Sequence, residues 1–191
     1  MPDRTSHLAR QQGLSIIEIV VTIVILGIAL ASVSGMIGVG LNQSSNTLVE
    51  TRAVALGYSY LEEIVGRRFD ERTPSSGVPP CFGLAGPGRC TLLASFGPDG
   101  GENRNRYDDV DDFHGLTEGS GEGTPLEDAE GNTRTGYDNF RIEVSVRYLN
   151  ASEMSALTGT LTVTDAKFVT VNVQHTVLGL NWDFSAYKGN Y

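Results

Sequence analysis

The sequence of 191 residues is poor in lysine, cysteine, histidine and tryptophan. It has two lysines, two cysteines, three histidines and one tryptophan, and its 23 acidic residues exceed its 14 basic residues to give a net charge of -9. The shortage of positive charge argues against nucleic acid or anionic lipid as an electrostatic partner. Two cysteines without a C-x-x-C spacing are too few for a cysteine-only zinc site. The length suits one domain with an appended segment.

Signatures of catalysis are also scarce. The three histidines, His7, His114 and His175, are scattered, and no pair of them has the spacing of metal ligands. The chain has neither the G-x-S-x-G pattern of a nucleophile elbow nor the G-x-x-x-x-G-K pattern of a phosphate-binding loop. We therefore expect no enzymatic activity and no cofactor.

The longest apolar segment runs from Leu14 to Leu41 and contains one charged residue, Glu18. About 20 residues of helix cross the hydrocarbon core of a bilayer, so the segment predicts one transmembrane helix over residues 14–41. Residues 1–13 are polar and include Arg4 and Arg10. Because such positive charge stays cytoplasmic, we expect the rest of the chain on the other side of the membrane.

Glu18 is unusual because an acidic residue at the centre of a membrane helix costs about 2.5 to 3.5 kcal/mol and is functional by default. The simpler alternative is that Glu18 lies at the headgroup edge and marks the helix start, where the helix dipole favours a carboxylate. Gly13 to Glu18 reads GLSIIE, behind a short basic leader and at the start of a long apolar helix. This segment resembles the cleavage and methylation motif of type IV pilins, with Leu14 where phenylalanine is usual.

The resemblance implies how the N-terminus is processed. Residues 1–13 would be a leader that a membrane peptidase removes between Gly13 and Leu14, and the same enzyme would methylate the new amino group of Leu14. Glu18 would recruit and align subunits by meeting the ammonium group of a neighbour. The implied partners are this prepilin peptidase and methyltransferase, a major pilin, other minor pilins and the pilus assembly machinery. The implied location is the inner membrane with a periplasmic head, followed by the pilus at the cell surface.

The helix is expected to continue beyond the membrane, because no proline occurs between Pro2 and Pro74. We predict an amphipathic continuation over residues 42–68 that packs one apolar stripe against a globular head. The spacing i, i+4, i+7 and i+11 assigns that stripe to Val54, Tyr58, Leu61 and Val65.

The head is predicted over residues 69–191, and its first part, residues 73–101, is rich in proline and glycine and reads as loop. This loop contains both cysteines, Cys81 and Cys90. In an exported chain such a pair favours a disulfide over a reactive or metal-binding thiol pair.

Residues 99–130 are strongly acidic, with eleven acidic residues and two arginines. Clustered carboxylates can bind Ca²⁺, although the EF-hand template is not met. The sequence leaves three interpretations open: a solvated loop paired with nearby arginines, a surface for a partner, and a weak calcium site. The candidate ligands of such a site are Asp108, Asp109, Asp111 and Asp112.

Alternating apolar and polar residues predict strands in the rest of the chain. The clearest is 140–148, and similar alternation marks 161–163, 169–173 and 178–184. We predict an α+β fold in which a long N-terminal helix packs on an antiparallel sheet with one buried face. This arrangement agrees with the fold of type IV pilins.

Three segments of the head, residues 107–115, 136–138 and 184–191, resemble the minor pilins of the mannose-sensitive haemagglutinin (MSHA) pilus. This narrower resemblance implies a low-abundance subunit of a surface-adhesion pilus. Two alternatives stay open at this point: a minor pseudopilin of a type II secretion system and a membrane-tethered periplasmic binding module.

Overall fold

The computed structural model of the chain describes residues 15–149, 152–153 and 165–191, and it describes the side chains in these ranges except those of residues 35–46. The chain divides into two compact units, Met1–Leu48 and Val49–Tyr191. We call the second unit the head. The head begins within the predicted segment 42–68, so the last part of the long helix belongs to it.

The long helix α1 runs from Ile16 to Val65. It begins after Ser15, whose carbonyl accepts hydrogen bonds from the N–H groups of Glu18 and Ile19 at 3.0 and 3.2 Å. It ends before the predicted limit near Arg68, because Gly66 follows and glycine is a poor helix former. Lys188 Nζ donates a hydrogen bond to the carbonyl of Val65 at 2.9 Å and so satisfies one terminal acceptor.

In the described part of the chain, four strands form one antiparallel sheet in the order β1-β2-β3-β4. Their bounds are Thr117–Gly119 for β1, Phe140–Tyr148 for β2, Ala166–His175 for β3 and Leu180–Gly189 for β4. Neighbours in the sheet are thus neighbours along the chain, which makes the sheet a meander. The predicted α+β class is confirmed.

The predicted strands agree with the sheet to different degrees. The prediction of 140–148 is confirmed as β2, and 169–173 lies within β3. The predicted strand 178–184 is partly wrong, because β4 starts at Leu180 and continues to Gly189. Its start is set by a turn in which Gly179, with φ 66°, donates its N–H to the carbonyl of His175 at 2.9 Å. The predicted strand 161–163 lies outside the described residues.

The core lies between the head part of α1 and one face of the sheet. In β2 every second residue is buried, as the alternation predicted. The side chains of Ile142 and Val144 are 0% and 1% exposed. Burial of such a side chain stabilises the fold by about 1.5 to 3 kcal/mol.

The predicted apolar stripe of the helix is wrong at two of its four positions. Val54 is 36% exposed and Tyr58 is 61% exposed, whereas Leu61 is buried and Val65 is half-buried. The buried face instead consists of Ala53, Leu56, Gly57, Tyr60, Leu61 and Ile64. Small residues on this face let the helix pack closely against the sheet. A Cβ on Gly57 would lie 2.2 Å from the ring of Phe184, so only glycine fits at this point.

Candidate functional site

The apolar side chains in the N-terminal segment of α1 are all exposed. Every side chain from Ile16 to Ser34 is exposed, and its isoleucine, leucine and valine side chains range from 44% exposed at Ile19 to 82% at Ile16. The segment is a helix of 19 residues that is long and apolar enough to cross a membrane. Exposure of this much apolar surface indicates a nonpolar environment around it, and its position near the N-terminus indicates a membrane anchor.

The hydroxyl groups of this segment are satisfied within the helix. Thr22 Oγ1 donates to the carbonyl of Glu18 at 3.0 Å, Ser32 Oγ donates to the carbonyl of Ile28 at 2.9 Å, and Ser34 bonds in the same way one turn back. An unsatisfied polar group in hydrocarbon costs several kcal/mol, so these bonds suit the helix to a bilayer or to a bundle of similar helices.

Glu18 is the one charged side chain between Ile16 and Ser34, and it is exposed. Its backbone N–H and carbonyl form hydrogen bonds within the first turns of α1, so the carboxylate is the group that it offers to other molecules. Among the described residues, no cationic side chain forms an ion pair with it. Gly13 and Leu14, which the sequence assigns to cleavage and methylation, lie outside the described residues.

Gly27 also has no role that the chain itself explains. A Cβ at this position would meet no atom of the described residues within 4 Å, so no contact with them requires a glycine here. Glycine on an exposed helix face lets a second helix approach closely. The helix therefore offers another helix both a narrow face at Gly27 and a lone carboxylate at Glu18.

The head contains a second concentration of charge, which is buried. Lys167 in β3 is 0% exposed. Its Nζ donates to the carbonyl of Phe69 at 2.5 Å, lies 3.4 Å from Asp70 Oδ2 and forms an ion pair with Asp111. Nothing in the alternation of β3 distinguishes this lysine from a surface residue, so its burial could not be predicted from the sequence.

The predicted aspartate ligands form a turn in which three of the four side chains, those of Asp109, Asp111 and Asp112, are buried and that of Asp108 is exposed. Asp109 Oδ1 accepts the N–H groups of Asp111 and Asp112 at 2.9 and 3.2 Å. Asp112 Oδ2 accepts the N–H groups of Asp108 and Asp109 at 2.9 and 3.2 Å. These bonds explain why Asp109, Asp111 and Asp112 are each no more than 3% exposed. Much of the acidity of this segment therefore belongs to the interior of the head.

Burial perturbs the protonation of this turn. Burial, together with the negative charges of Asp111 and Asp112, raises the pKa of Asp109 to about 9. Burial also raises the pKa of Asp111, although the charge of Lys167 opposes the change.

The four carboxylates do not converge on one point in the way a calcium ion requires. Three face backbone N–H groups or Lys167, while Asp108 forms an ion pair with Arg68. The group that does come together is Glu71, Asp108 and Asp109, whose oxygens lie within 4.8 Å of one another. Calcium binding stays a prediction, and an unchanged melting curve with excess Ca²⁺ would contradict it.

The predicted disulfide between Cys81 and Cys90 is present, and both cysteines are buried. The loop it closes is held by Asp70, whose Oδ2 accepts the N–H of Thr91 at 2.8 Å. Asn190, just after β4, donates to the carbonyl of Cys81 at 2.8 Å. The disulfide loop is thus fastened to the rest of the head at both ends.

Another buried ion network joins the head part of α1 to β1. Arg104 forms ion pairs with Glu63 at 2.6 Å and with Glu118 at 3.0 Å, and the hydroxyl of Tyr60 donates to Glu118 Oε2 at 2.5 Å. The guanidinium carbon of Arg104 lies 4.9 Å from the ring centre of Phe113. The acidic segment therefore contains a strand, β1, and internal ion pairs. Of the interpretations that the sequence left open, the pairing of acidic residues with nearby arginines is confirmed for Arg104.

The prokaryotic N-terminal methylation motif matches residues 8–34 of this chain. The match covers the end of the predicted leader, the predicted cleavage point, Glu18 and the exposed apolar helix. No curated protein and no solved structure gives a match to the chain.

The motif implies processing by a prepilin peptidase and assembly with other pilins. It lies on an apolar helix that continues into an antiparallel sheet domain, which is the α+β arrangement of a type IV pilin fold. The motif and the fold together support a type IV pilin-like family for this chain.

Proposed function

We propose that the chain is a minor type IV pilin, similar to the minor pilin MshD of the MSHA pilus. After removal of residues 1–13 and methylation of Leu14, it takes part in assembling a surface-adhesion pilus. The observation that carries the proposal is Glu18: one exposed carboxylate on an otherwise apolar exposed helix, within the segment that matches the methylation motif.

The physical argument is charge pairing in a nonpolar medium. Cleavage between Gly13 and Leu14 creates a positive amine four residues before Glu18, on the same face of the helix. Burying either charge alone is expensive, whereas a pair with good geometry is tolerated. In the membrane the pair forms within one chain, and in the filament the amine of an incoming subunit meets Glu18 of its neighbour. That pairing fixes the axial register of the subunits.

The route of the subunit follows from its charges and its anchor. Arg4 and Arg10 keep the leader in the cytoplasm, where the prepilin peptidase acts, and the head then lies in the periplasm. The assembly machinery extracts the subunit from the inner membrane into a pilus with the major pilin and other minor pilins. The role is structural, and we propose no catalysis.

The first test compares two glutamates of α1. Glu18→Ala is expected to leave leader cleavage intact but to reduce strongly the amount of the chain recovered with sheared pili. Glu50→Ala is the matched control, because Glu50 is also an exposed glutamate of α1 but lies in the head. Equal recovery of the two variants would contradict the register role of Glu18.

A second comparison separates the pilus from the alternatives. Deletion of the chain in its native host is expected to reduce piliation and surface adhesion while secretion of folded proteins continues. Loss of secretion with normal piliation would instead indicate a pseudopilin of a type II secretion system. A chain that stays in the inner membrane fraction while pili assemble normally would indicate a tethered binding module.

A further inference from the structure

Lys167 and Asp111 face each other in a closed part of the head. Lys167 Nζ and Asp111 Oδ1 are in direct contact, and the two side chains are 0% and 4% exposed. Lys167 is on β3, and Asp111 is in the turn that precedes β1, so the contact joins two parts of the chain that are distant in sequence. Both reactive groups are on buried side chains.

The surroundings of Lys167 are aromatic. Its Nζ lies 4.5 Å from the ring centre of Phe69, 4.9 Å from that of Phe96 and 5.5 Å from that of Tyr148. These rings keep water from the amine. A buried ion pair loses the hydration of both charges, and that penalty can exceed the Coulombic attraction between them. A neutral product of the same two groups would avoid this cost.

Asp109 supplies the third group. The residue is 2% exposed, and its carboxyl lies in the same buried turn as that of Asp111. It cannot swing away easily, because its Oδ1 accepts the N–H groups of Asp111 and Asp112. Burial raises the pKa of Asp109 to about 9, so its carboxyl is protonated at neutral pH and can donate a hydrogen bond to a neighbouring oxygen that gains negative charge.

We propose that Lys167 and Asp111 form an intramolecular isopeptide bond between Nζ and Cγ, with the carboxyl of Asp109 as the hydrogen-bond donor that assists the reaction. This modification is separate from leader cleavage and N-methylation, and it does not depend on the proposed role in a pilus. It fastens the turn before β1 covalently to β3.

The reaction is a condensation and needs no oxidant or reductant. A proton passes from the ammonium group of Lys167 to the carboxylate of Asp111, giving a neutral amine and a carboxylic acid. The Nζ lone pair then attacks Cγ, and the oxygen that gains charge is held by Asp109. One Cγ–O bond breaks as the hydroxyl group takes the second proton from Nζ and leaves as water, so one amide and one water form.

Proximity makes this condensation favourable inside the head. A free amine and a free carboxylic acid in water rarely meet in a reactive orientation. Groups held in contact react as if their concentration were about 10⁵ to 10⁸ M. The neutral amide also avoids the loss of hydration that the buried ion pair suffers.

Mass spectrometry of the purified full chain tests the proposal. After reduction of the disulfide and correction for the state of the N-terminus, the mass is expected to be about 18 Da below that of the unlinked chain, which is the mass of one water. Trypsin is expected to leave Lys167 uncleaved and to release residues 107–134 joined to residues 148–188. Recovery of unlinked 107–134 together with a chain cut after Lys167 would overturn the proposal.

Two variants guard against a false positive. The side chain of Asp111 could lose the same mass by cyclising onto the backbone nitrogen of Asp112. That product leaves Lys167 open to trypsin, so a loss of mass without the linked peptides contradicts the proposal. Lys167→Arg keeps the positive charge and is expected to have the full unlinked mass. Asp109→Asn keeps an oxygen for the two backbone N–H groups and is expected to lower the linked fraction; an unchanged linked fraction after brief expression would contradict the role of Asp109.

Discussion

The apolar side chains of residues 16–34 and those of the head are used in opposite ways. In the N-terminal segment every isoleucine, leucine and valine is exposed, whereas in the head Ile142, Val144 and Val171 are no more than 1% exposed. Charge shows the reverse pattern. The N-terminal segment has one exposed carboxylate, and the head encloses Lys167 and several aspartates.

This difference separates what holds the chain together from what it offers to other molecules. Among the described residues, the core of the head is built from residues after Leu48, so the head has its own source of stability. The N-terminal segment buries nothing in the described part of the chain, and its apolar surface is satisfied only by lipid or by other helices. The apolar residues of the head therefore stabilise its fold, whereas those of residues 16–34 are available to lipid or to other helices.

The largest expected effect is on solubility. A fragment of residues 49–191 is expected to be soluble without detergent and to unfold in one cooperative transition, because it contains the whole core. The full chain is expected to need detergent. Circular dichroism and size-exclusion chromatography check both statements. A fragment that aggregates or melts without a transition would show that the head depends on the preceding residues.

A matched pair of isoleucines tests the comparison residue by residue. Ile142→Ala is expected to lower the free energy of unfolding of the head by about 2 to 5 kcal/mol, because Ile142 is 0% exposed. Ile23→Ala removes the same atoms from a side chain that is 64% exposed and is expected to change that free energy by less than about 0.5 kcal/mol. Denaturant titration in the same detergent measures both. Similar losses for the two variants would contradict the division between the regions.

A smaller effect concerns pH. The pKa of Asp109 is raised from 3.8 in the unfolded chain to about 9 in the folded head, mainly by burial. Between these values the folded state binds the additional proton, so the contribution of Asp109 to stability is full at low pH and is lost as pH rises toward about 9. Asp109→Asn is expected to flatten this decline in the free energy of unfolding.

Asp128→Asn is the control for that measurement. Asp128 is exposed, and hydrogen bonds from Asn132 lower its pKa, so any contribution it makes is present above pH 3.8 and is lost only in more acidic solution. Its variant is expected to leave the slope between about pH 5 and pH 8 unchanged. If the two variants alter that slope equally, Asp109 is not the group responsible.

The features that the sequence predicted well depend on local patterns. Strict alternation located β2 to the residue, and the absence of proline allowed one helix to run from Ile16 to Val65. The motif at residues 8–34 and the disulfide were also readable, because each depends on a few residues at short spacing.

The features that the sequence missed depend on partners far along the chain. The stripe at Val54 and Tyr58 failed because small residues, which hydrophobic spacing ignores, decide which face of α1 approaches the sheet. β1 was missed because its three residues lie in an acidic segment without alternation. Lys167 looked like a surface residue because its partners, Asp70 and Asp111, are 97 and 56 positions away.

The most direct test of the central claim is the N-terminus of the chain purified from its native host. Mass spectrometry of the first peptide is expected to find Leu14 as the first residue with one methyl group on its amine. The same chain from a host without the prepilin peptidase is expected to keep residues 1–13. A functional chain that still begins at Met1 in cells with an active peptidase would contradict the account.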